Sequence, residues 1–379
     1  MAGSIVIGPF SYHLPIALPV VKNDQPSTKD YTGVVYVNSN VSSVPIGKGV
    51  VLQCDDGRSF KLIDFINSGG MADVYKASDD KGQIVAAKVL KNWTITMLCE
   101  RFHRETALMA EIKNYPGVIS YISSGKYNSH QPFIVMEYAD GGTLNDVMSK
   151  GSMSVKEQLI VIADLCKPLQ KLHSHKNSRK EVEPIIHRDL KPSNILFVKG
   201  KPKISDFGLA AYKIDLGIQH SSEEKPCSIT KTEDILGTPK YMSPEQAGCF
   251  FVVKKYMDET DLETAKEGIS ELARRRFTPA ADRYSIAAML YQILTGELPL
   301  EPQGESTADF LKRVVNVPPM AIQGTSNAKK VKPLLQGLPP LPEQFANAIM
   351  KSLLKTPLDR TIGLDRMEKE IRRYAATLN

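Results

Sequence analysis

Ile186-His187-Arg188-Asp189-Leu190-Lys191-Pro192-Ser193-Asn194, with Asp206-Phe207-Gly208 twelve residues past its Asn, constrains this chain more than any other stretch. Moving a phosphoryl group from a nucleotide to a hydroxyl has three requirements. An acid must accept a hydrogen bond from the attacking hydroxyl, oxygen ligands must hold Mg²⁺, and a cation must balance the phosphoryl charge. Asp189 suits the first role, Asn194 and Asp206 the second, and Lys191 the third. A three-letter Asp-Phe-Gly alone carries little weight. The two motifs together, in this order and this close, carry much more.

The order H-R-D-L-x-x-x-N, then D-F-G, is that of the protein kinase catalytic core. On these residues the chain resembles the protein kinase superfamily, and residues further along narrow the resemblance to bacterial Hanks-type Ser/Thr kinases. The resemblance covers residues 46–379. It implies a bilobal α+β fold: a small β-rich N-lobe with an αC helix over 46–139, and a larger, mainly helical C-lobe over 140–379. An N-terminal extension, 1–45, precedes them.

Composition agrees. The chain has 379 residues, 42% hydrophobic and 24% charged, enough for two lobes and additions. A net charge of +6 without a long basic block argues against a nucleic-acid partner. Cys54, Cys99, Cys166, Cys227 and Cys249 are scattered and form no C-x-x-C, which argues for reduced thiols over a disulfide framework or zinc site. No stretch reaches the roughly 18 apolar residues of a membrane span. Residues 4–21 are apolar, but Pro9, Pro15 and Pro19 interrupt them and no basic segment precedes them, unlike a signal peptide. The expected location is cytoplasmic: a bacterial cytosol, or a host cytosol for a delivered effector. The extension is rich in Pro, Ser and Asn, with a β-like patch at Val34–Val37. It reads as a mobile tail or a strand laid along the kinase, with a docking or autoregulatory arm as the alternative.

In the small lobe, Val50–Cys54 and Phe60–Asp64 around Asp55-Asp56-Gly57 predict a hairpin. Ile66-Asn67-Ser68-Gly69-Gly70-Met71-Ala72-Asp73-Val74 resembles the kinase phosphate loop, with Asn67 and Ala72 at its outer glycine positions. Asn67 is expected to keep the turn by tolerating left-handed φ, and Ala72 to cost little at negative φ. Gly69 and Gly70 let backbone N–H groups approach phosphate. Lys88 interrupts the apolar strand Val85–Leu90, and a buried Lys needs a partner. The resemblance makes it the lysine that grips the α- and β-phosphates, paired with Glu105 of the αC helix; Glu100 and Glu111 are rivals. Phe133–Met136 resembles the last small-lobe strand before the interlobe hinge. Backbone groups of Glu137 and Ala139 would bond adenine, and Met136 would set the pocket depth. Ile66, Val74, Ala86 and Leu196 complete the implied nucleotide contacts.

In the large lobe, Ser154 to His173 predicts an amphipathic helix capped by Ser152 or Ser154, and Ser174–Glu183 a solvated loop insertion. Gly237-Thr238-Pro239-Lys240-Tyr241-Met242-Ser243-Pro244-Glu245 resembles the kinase segment G-T-x-x-Y-x-A-P-E, with Ser243 for Ala. With Lys191, Thr238 points to Ser/Thr specificity. Upstream, Thr230 and Thr232 match threonines that the bacterial family autophosphorylates, and Arg188 is a receptor for such a phosphate. Asp282 is expected to accept hydrogen bonds from the catalytic-loop backbone, and Arg360 to pair with Glu245. The 36 residues between Glu245 and Asp282 exceed expectation. The excess at 249–278 carries part of a helical stripe (Met257, Leu262, Ala265, Ile269, Leu272), read as an extra helix or as a platform for substrate or partner.

The resemblance thus implies transfer of the ATP γ-phosphoryl group to Ser or Thr of protein substrates. Asp189, Lys191 and Lys88 act in catalysis, and Asn194 and Asp206 bind Mg²⁺, with Mn²⁺ as an alternative ion. A dimer or an accessory protein is a further expected partner. Two other readings are a pseudokinase scaffold, prompted by Asn67 and Ala72, and a small-molecule phosphotransferase.

Overall fold

Gly57, at φ +85°, closes the first hairpin of the main sheet, joining β3 (Val51–Gln53) to β4 (Ser59–Ser68). The computed structural model describes residues 4–7, 10–13, 46–94, 96–177, 179–209, 211–212, 239–248, 278–326, 328 and 330–379. Within the N-terminal extension, β1 (Ser4–Ile7) and β2 (Phe10–His13) pair antiparallel with each other. The Val34–Val37 patch lies outside the described residues, as do positions 249–277 of the large-lobe insertion.

The sheet continues through β5 (Ala72–Ser78), β6 (Ile84–Leu90), β7 (Tyr121–Tyr127) and β8 (Gln131–Glu137), in the order β3-β4-β5-β6-β8-β7. Alternation along β6 gives the sheet two different faces. Val85, Ala87 and Val89 join Leu52, Phe60, Leu62, Tyr75, Phe133 and Val135 in one apolar cluster. Ala86, Lys88 and Leu90 take the opposite face, where Leu90 packs in the main core with Phe102, Leu108 and Met109 of α1 (Thr96–Glu111) and with Ile112 just past it.

Among the described residues of the large lobe, α2 (Leu144–Lys150) and α3 (Val155–His173) precede the short strands β9 (Ile185–Ile186), β10 (Ile195–Val198), β11 (Lys201–Ile204) and β12 (Ala211–Tyr212). Ser154, not Ser152, caps α3 in a reciprocal capping box with Glu157. After them come α4 (Ala280–Thr295), α5 (Thr307–Asn316), β13 (Ala321–Ile322), β14 (Val331–Lys332), α6 (Glu343–Ser352) and α7 (Leu364–Ala375). Helix α4 is buried on nearly every side, as a helix apolar all round must be. Gly117 (φ +74°) brings the chain between the lobes against α3: a Cβ there would lie 2.2 Å from Pro168 Cγ.

Most described residues of Ser174–Glu183 are exposed, as expected of a solvated loop, but the segment is folded on itself and buries one side chain. Lys176 and Val182 form a β-bridge, and Asn177 Oδ1 accepts the N–H groups of Arg179 and Glu181. Beneath this turn His175 is buried, with Tyr115 Oη 2.8 Å from its Nδ1 and Glu111 3.1 Å from its Nε2.

Candidate active site

Glu105 is the charged interruption in the buried stripe of α1, 2% exposed between Phe102, Leu108 and Met109. A carboxylate in that position needs a cation. Lys88 Nζ lies 2.6 Å from Glu105 Oε1 and 3.1 Å from Asp206 Oδ1, so one ammonium bridges the helix and the segment after β11. Glu100 and Glu111 make no bond to it among the described residues. Burial alone would lower the Lys88 pKa, but the Asp206 and Glu105 carboxylates outweigh it and hold the lysine above its usual range. Burial pushes Glu105 up against the pull of Lys88. The charge of Lys88 holds Asp206 well below the usual carboxylate range, although that side chain is 46% exposed to the cleft.

Asp189 faces the same cleft. Its Oδ2 accepts from Lys191 Nζ at 2.8 Å and from Asn194 Nδ2 at 3.1 Å, and Asn194 Nδ2 also donates to the Asp189 carbonyl at 2.8 Å. Both amide hydrogens of Asn194 are thereby committed to Asp189, and Oδ1 is the amide atom suited to a cation. With the Asp206 carboxylate it forms a hard oxygen donor set of the kind a small divalent cation takes. The residues present therefore fit the metal that the sequence implies.

Two residues of this region occupy left-handed backbone, Arg188 at φ +69° and Asp206 at φ +61°. Such conformations cost about 1–3 kcal/mol each and persist only where surroundings hold them. Asp282, at the start of α4, accepts the N–H groups of His187 (3.0 Å) and Arg188 (2.9 Å), as expected of it. Its Oδ2 also lies 2.8 Å from His173 Nε2. Burial works against ionisation of Asp282, yet the His173 contact and its other partners keep its pKa low. His187 Nε2 donates to the Ser205 carbonyl (2.9 Å), its Nδ1 accepts the Asp189 N–H (3.2 Å), and its ring meets Phe207 edge-on at 4.9 Å. Ser205 returns its N–H and hydroxyl to the Asn194 carbonyl, so the two motifs are fastened to each other.

Arg360 and Glu245, both fully buried, form a two-bond ion pair at 2.7 Å, as predicted. Ser243, for all its difference from Ala, heads the helical turn described at 244–248, with its N–H and hydroxyl on Gln246 Oε1. Gln246 then donates Nε2 to the Arg188 carbonyl at 2.6 Å. This residue was not singled out, although Ser-Pro-Glu-Gln has the S-x-x-Q spacing of a capping box. Arg101 was missed as well. It lies one helical turn before Glu105 and donates Nε to the Gly208 carbonyl at 2.7 Å.

The implied nucleotide contacts come together in part. Val74 pairs with Lys88, and Ala86 pairs with Met136 across the sheet. Leu196 bridges to Thr143 below the hinge. The N–H of Glu137 goes to the Ser120 carbonyl (3.0 Å) and its carboxylate to Lys203 (2.5 Å), so its carbonyl is the group that can be assigned to adenine. Ile66 is 45% exposed at the end of β4, ahead of Gly69 and Gly70. Asn67 does not adopt the left-handed φ expected of it. It stays extended in β4, a register shift between Phe65 and Asn67 absorbs the turn, and its Oδ1 accepts the Ser68 N–H at 2.8 Å. Ala72 keeps negative φ, as anticipated. Thr230, Thr232 and Thr238 lie outside the described residues.

A protein kinase domain profile matches residues 60–363. Serine/threonine-protein kinase PknB of Mycobacterium tuberculosis is 34% identical over 248 residues, 63% of this chain and 33% of its own length. Serine/threonine-protein kinase A of Synechocystis is 30% identical over 256 residues, 65% and 42% of the two chains. A probable serine/threonine-protein kinase PknB of Lactococcus lactis is 27% identical over 318 residues, 82% and 41%. The chain spans between 33% and 42% of the length of these relatives. Among the described residues no helix is long and apolar enough to cross a membrane.

Proposed function

The chain belongs to the protein kinase domain family, and on that premise we propose that it transfers the γ-phosphoryl group of ATP to serine or threonine hydroxyls of protein substrates. The observation that carries this reading is the joined cluster Glu105–Lys88–Asp206, tied through Ser205 to Lys191–Asp189–Asn194. A disabled scaffold has no need to keep every charged group bonded in this way. A small-molecule phosphotransferase does not account for the Arg360–Glu245 pair or the family match over 60–363.

Asp189 accepts the hydrogen bond, and then the proton, of the substrate hydroxyl. Lys191, bonded to that carboxylate, brings a cation to the same place, and together with Thr238 it matches the pattern of the Ser/Thr-specific members of the family. Lys88, fixed by Glu105, meets the nucleotide phosphates with a charge already desolvated and oriented. Asn194 Oδ1 and the Asp206 carboxylate would hold the divalent cation that the family requires, best matched by Mg²⁺, which would supply charge neutralisation at the phosphates. Thr230 and Thr232 complete the reading as autophosphorylation sites whose phosphate Arg188 receives.

The direct test is incubation with γ-labelled ATP, Mg²⁺ and a generic protein substrate, followed by identification of the labelled amino acid. Label on serine or threonine that disappears in Asp189→Asn supports the proposal. No transfer from wild-type protein, or label on tyrosine alone, overturns it.

A further inference from the structure

Lys91 lies just past the end of β6, three residues beyond Lys88, and grips the phosphate loop at two points. Its backbone N–H donates to the Met71 carbonyl at 2.9 Å, and its Nζ donates to Ser68 Oγ at 3.0 Å. Ser68 passes the contact on, donating Oγ to Asp73 Oδ1 at 2.7 Å. Asp73 faces Ser68 across the β4–β5 pairing and is only 6% exposed. One hydroxyl therefore stands between an ammonium and a largely buried carboxylate.

This arrangement answers two problems of this particular loop. Asn67 and Ala72 replace glycine at its outer positions, and neither takes positive φ. The loop is shaped instead by hydrogen bonds: Asn67 Oδ1 to the Ser68 N–H, the Gly69 N–H to the Ala72 carbonyl at 2.9 Å, and the two from Lys91. The second problem is charge. Asp73 puts a carboxylate at the base of a loop expected to face a polyanion, and a like charge there repels the nucleotide unless a cation offsets it.

We propose that Lys91 is a positioning residue for the nucleotide phosphates, fixing the loop through Met71 and Ser68 and offsetting the charge of Asp73. The proposal rests on the reading that the cleft binds ATP. It concerns phosphates and not adenine, so the two ligands that separate those parts provide the test.

Affinities for a non-hydrolysable ATP analogue and for adenosine are measured by calorimetry on the full chain. Lys91→Met is expected to weaken the analogue about tenfold and adenosine less than about twofold, with the larger loss at low salt. Lys91→Arg retains wild-type affinity, and adding Asp73→Asn to Lys91→Met recovers most of the loss. Ser68→Ala, a smaller change in the same relay, weakens the analogue selectively even if Lys91→Met folds poorly. Equal loss for both ligands, or no loss in either variant of a wild type that binds both, overturns the proposal. A wild type that binds neither ligand overturns the nucleotide reading and this proposal with it.

Discussion

Asn194 donates its side-chain amide to Asp189 twice, to the carbonyl at 2.8 Å and to Oδ2 at 3.1 Å. With Lys191 on the same oxygen at 2.8 Å, this fixes the Asp189 carboxylate before any substrate arrives. Asp189→Asn keeps the size of the side chain and removes its ability to take a proton. Phosphoryl transfer should fall by roughly 10²–10⁴-fold. Affinity for the ATP analogue and the thermal midpoint should change little, since the carboxylate is not a core group. Steady-state kinetics beside calorimetry checks both halves, and near-wild-type turnover would remove Asp189 from the role.

Lys88 and Glu105 should behave as a unit. Lys88→Met leaves a buried carboxylate without its cation, and Glu105→Gln leaves the ammonium anchored by Asp206 alone. Each change should lower turnover, with Lys88→Met the more severe. In the double variant the effects should fall short of additive by about 0.5–3 kcal/mol, the range for residues in direct contact. Full multiplication of the two losses would show that the 2.6 Å contact does not couple them.

Arg360 and Glu245 test structure apart from chemistry. Both side chains are buried, and Arg360 also donates to the carbonyls of Leu354, Lys355 and Ala280. Arg360→Met should destabilise the domain by about 3–5 kcal/mol, because Glu245 stays buried without its partner. Arg360→Lys should rescue little of it, since an ammonium cannot reproduce a planar two-bond pairing. Urea unfolding at neutral pH measures both. A loss below 1 kcal/mol in Arg360→Met would contradict the expectation.

Much of the site was legible in the sequence because its chemistry needs rare residue types at fixed short spacings. Asp189, Lys191 and Asn194 lie within six positions of one another, and a lysine inside an apolar strand announces itself. Contacts made across long separations left no such trace. Gln246 reaches Arg188 across 58 residues, and Arg101 reaches Gly208 across 107. Nothing local to either sequence position names the partner. The Asn67 expectation erred for a different reason. Tolerance of left-handed φ is a property of the residue, whereas the need for it depends on the strand register, which here shifts before Asn67 and removes that need. The polar neighbours of His175 predict a solvated loop, yet this one side chain is buried, meeting Tyr115 and Glu111 from a segment distant in sequence.

Lys355 offers a pH test away from the cleft. Burial, reinforced by the nearby charge of Arg360, lowers its pKa from 10.5 to about 8. The folded state therefore binds fewer protons than the unfolded state between these values, and stability should rise as pH increases from about 8 towards 10.5. Below that window the protonated side chain costs stability in full. Lys355→Met should accordingly raise the urea midpoint at neutral pH and remove this contribution to the alkaline rise. A variant less stable than wild type at pH 7 would mean that the bond from Lys355 Nζ to the Val314 carbonyl, 2.6 Å, outweighs the desolvation.

Thr230 and Thr232 lie outside the described residues, but their sequence context and the site they would serve define a test. Residues 215–236 are polar and carry Ser221, Ser222, Ser228, Thr230 and Thr232 without a periodic apolar face. Such a stretch has little apolar surface with which to fix its own position. A phosphate brings about −1.5 to −2 charges and one to three charge-assisted hydrogen bonds when it meets arginine. The Arg188 backbone is fixed in place, with its N–H on Asp282 and its carbonyl on Gln246. Phosphatase treatment should therefore lower protein-substrate turnover about tenfold or more, given that stabilisation. Thr230→Ala with Thr232→Ala should match that loss and resist reactivation by ATP. Affinity for the ATP analogue should move much less, because Lys88, Glu105 and Asp206 are joined without the loop. Unmodified threonines in fully active enzyme, with a double variant as fast as wild type, would show that phosphate does not operate the switch. Residues 249–278 would then be the first segment to delete in search of what does.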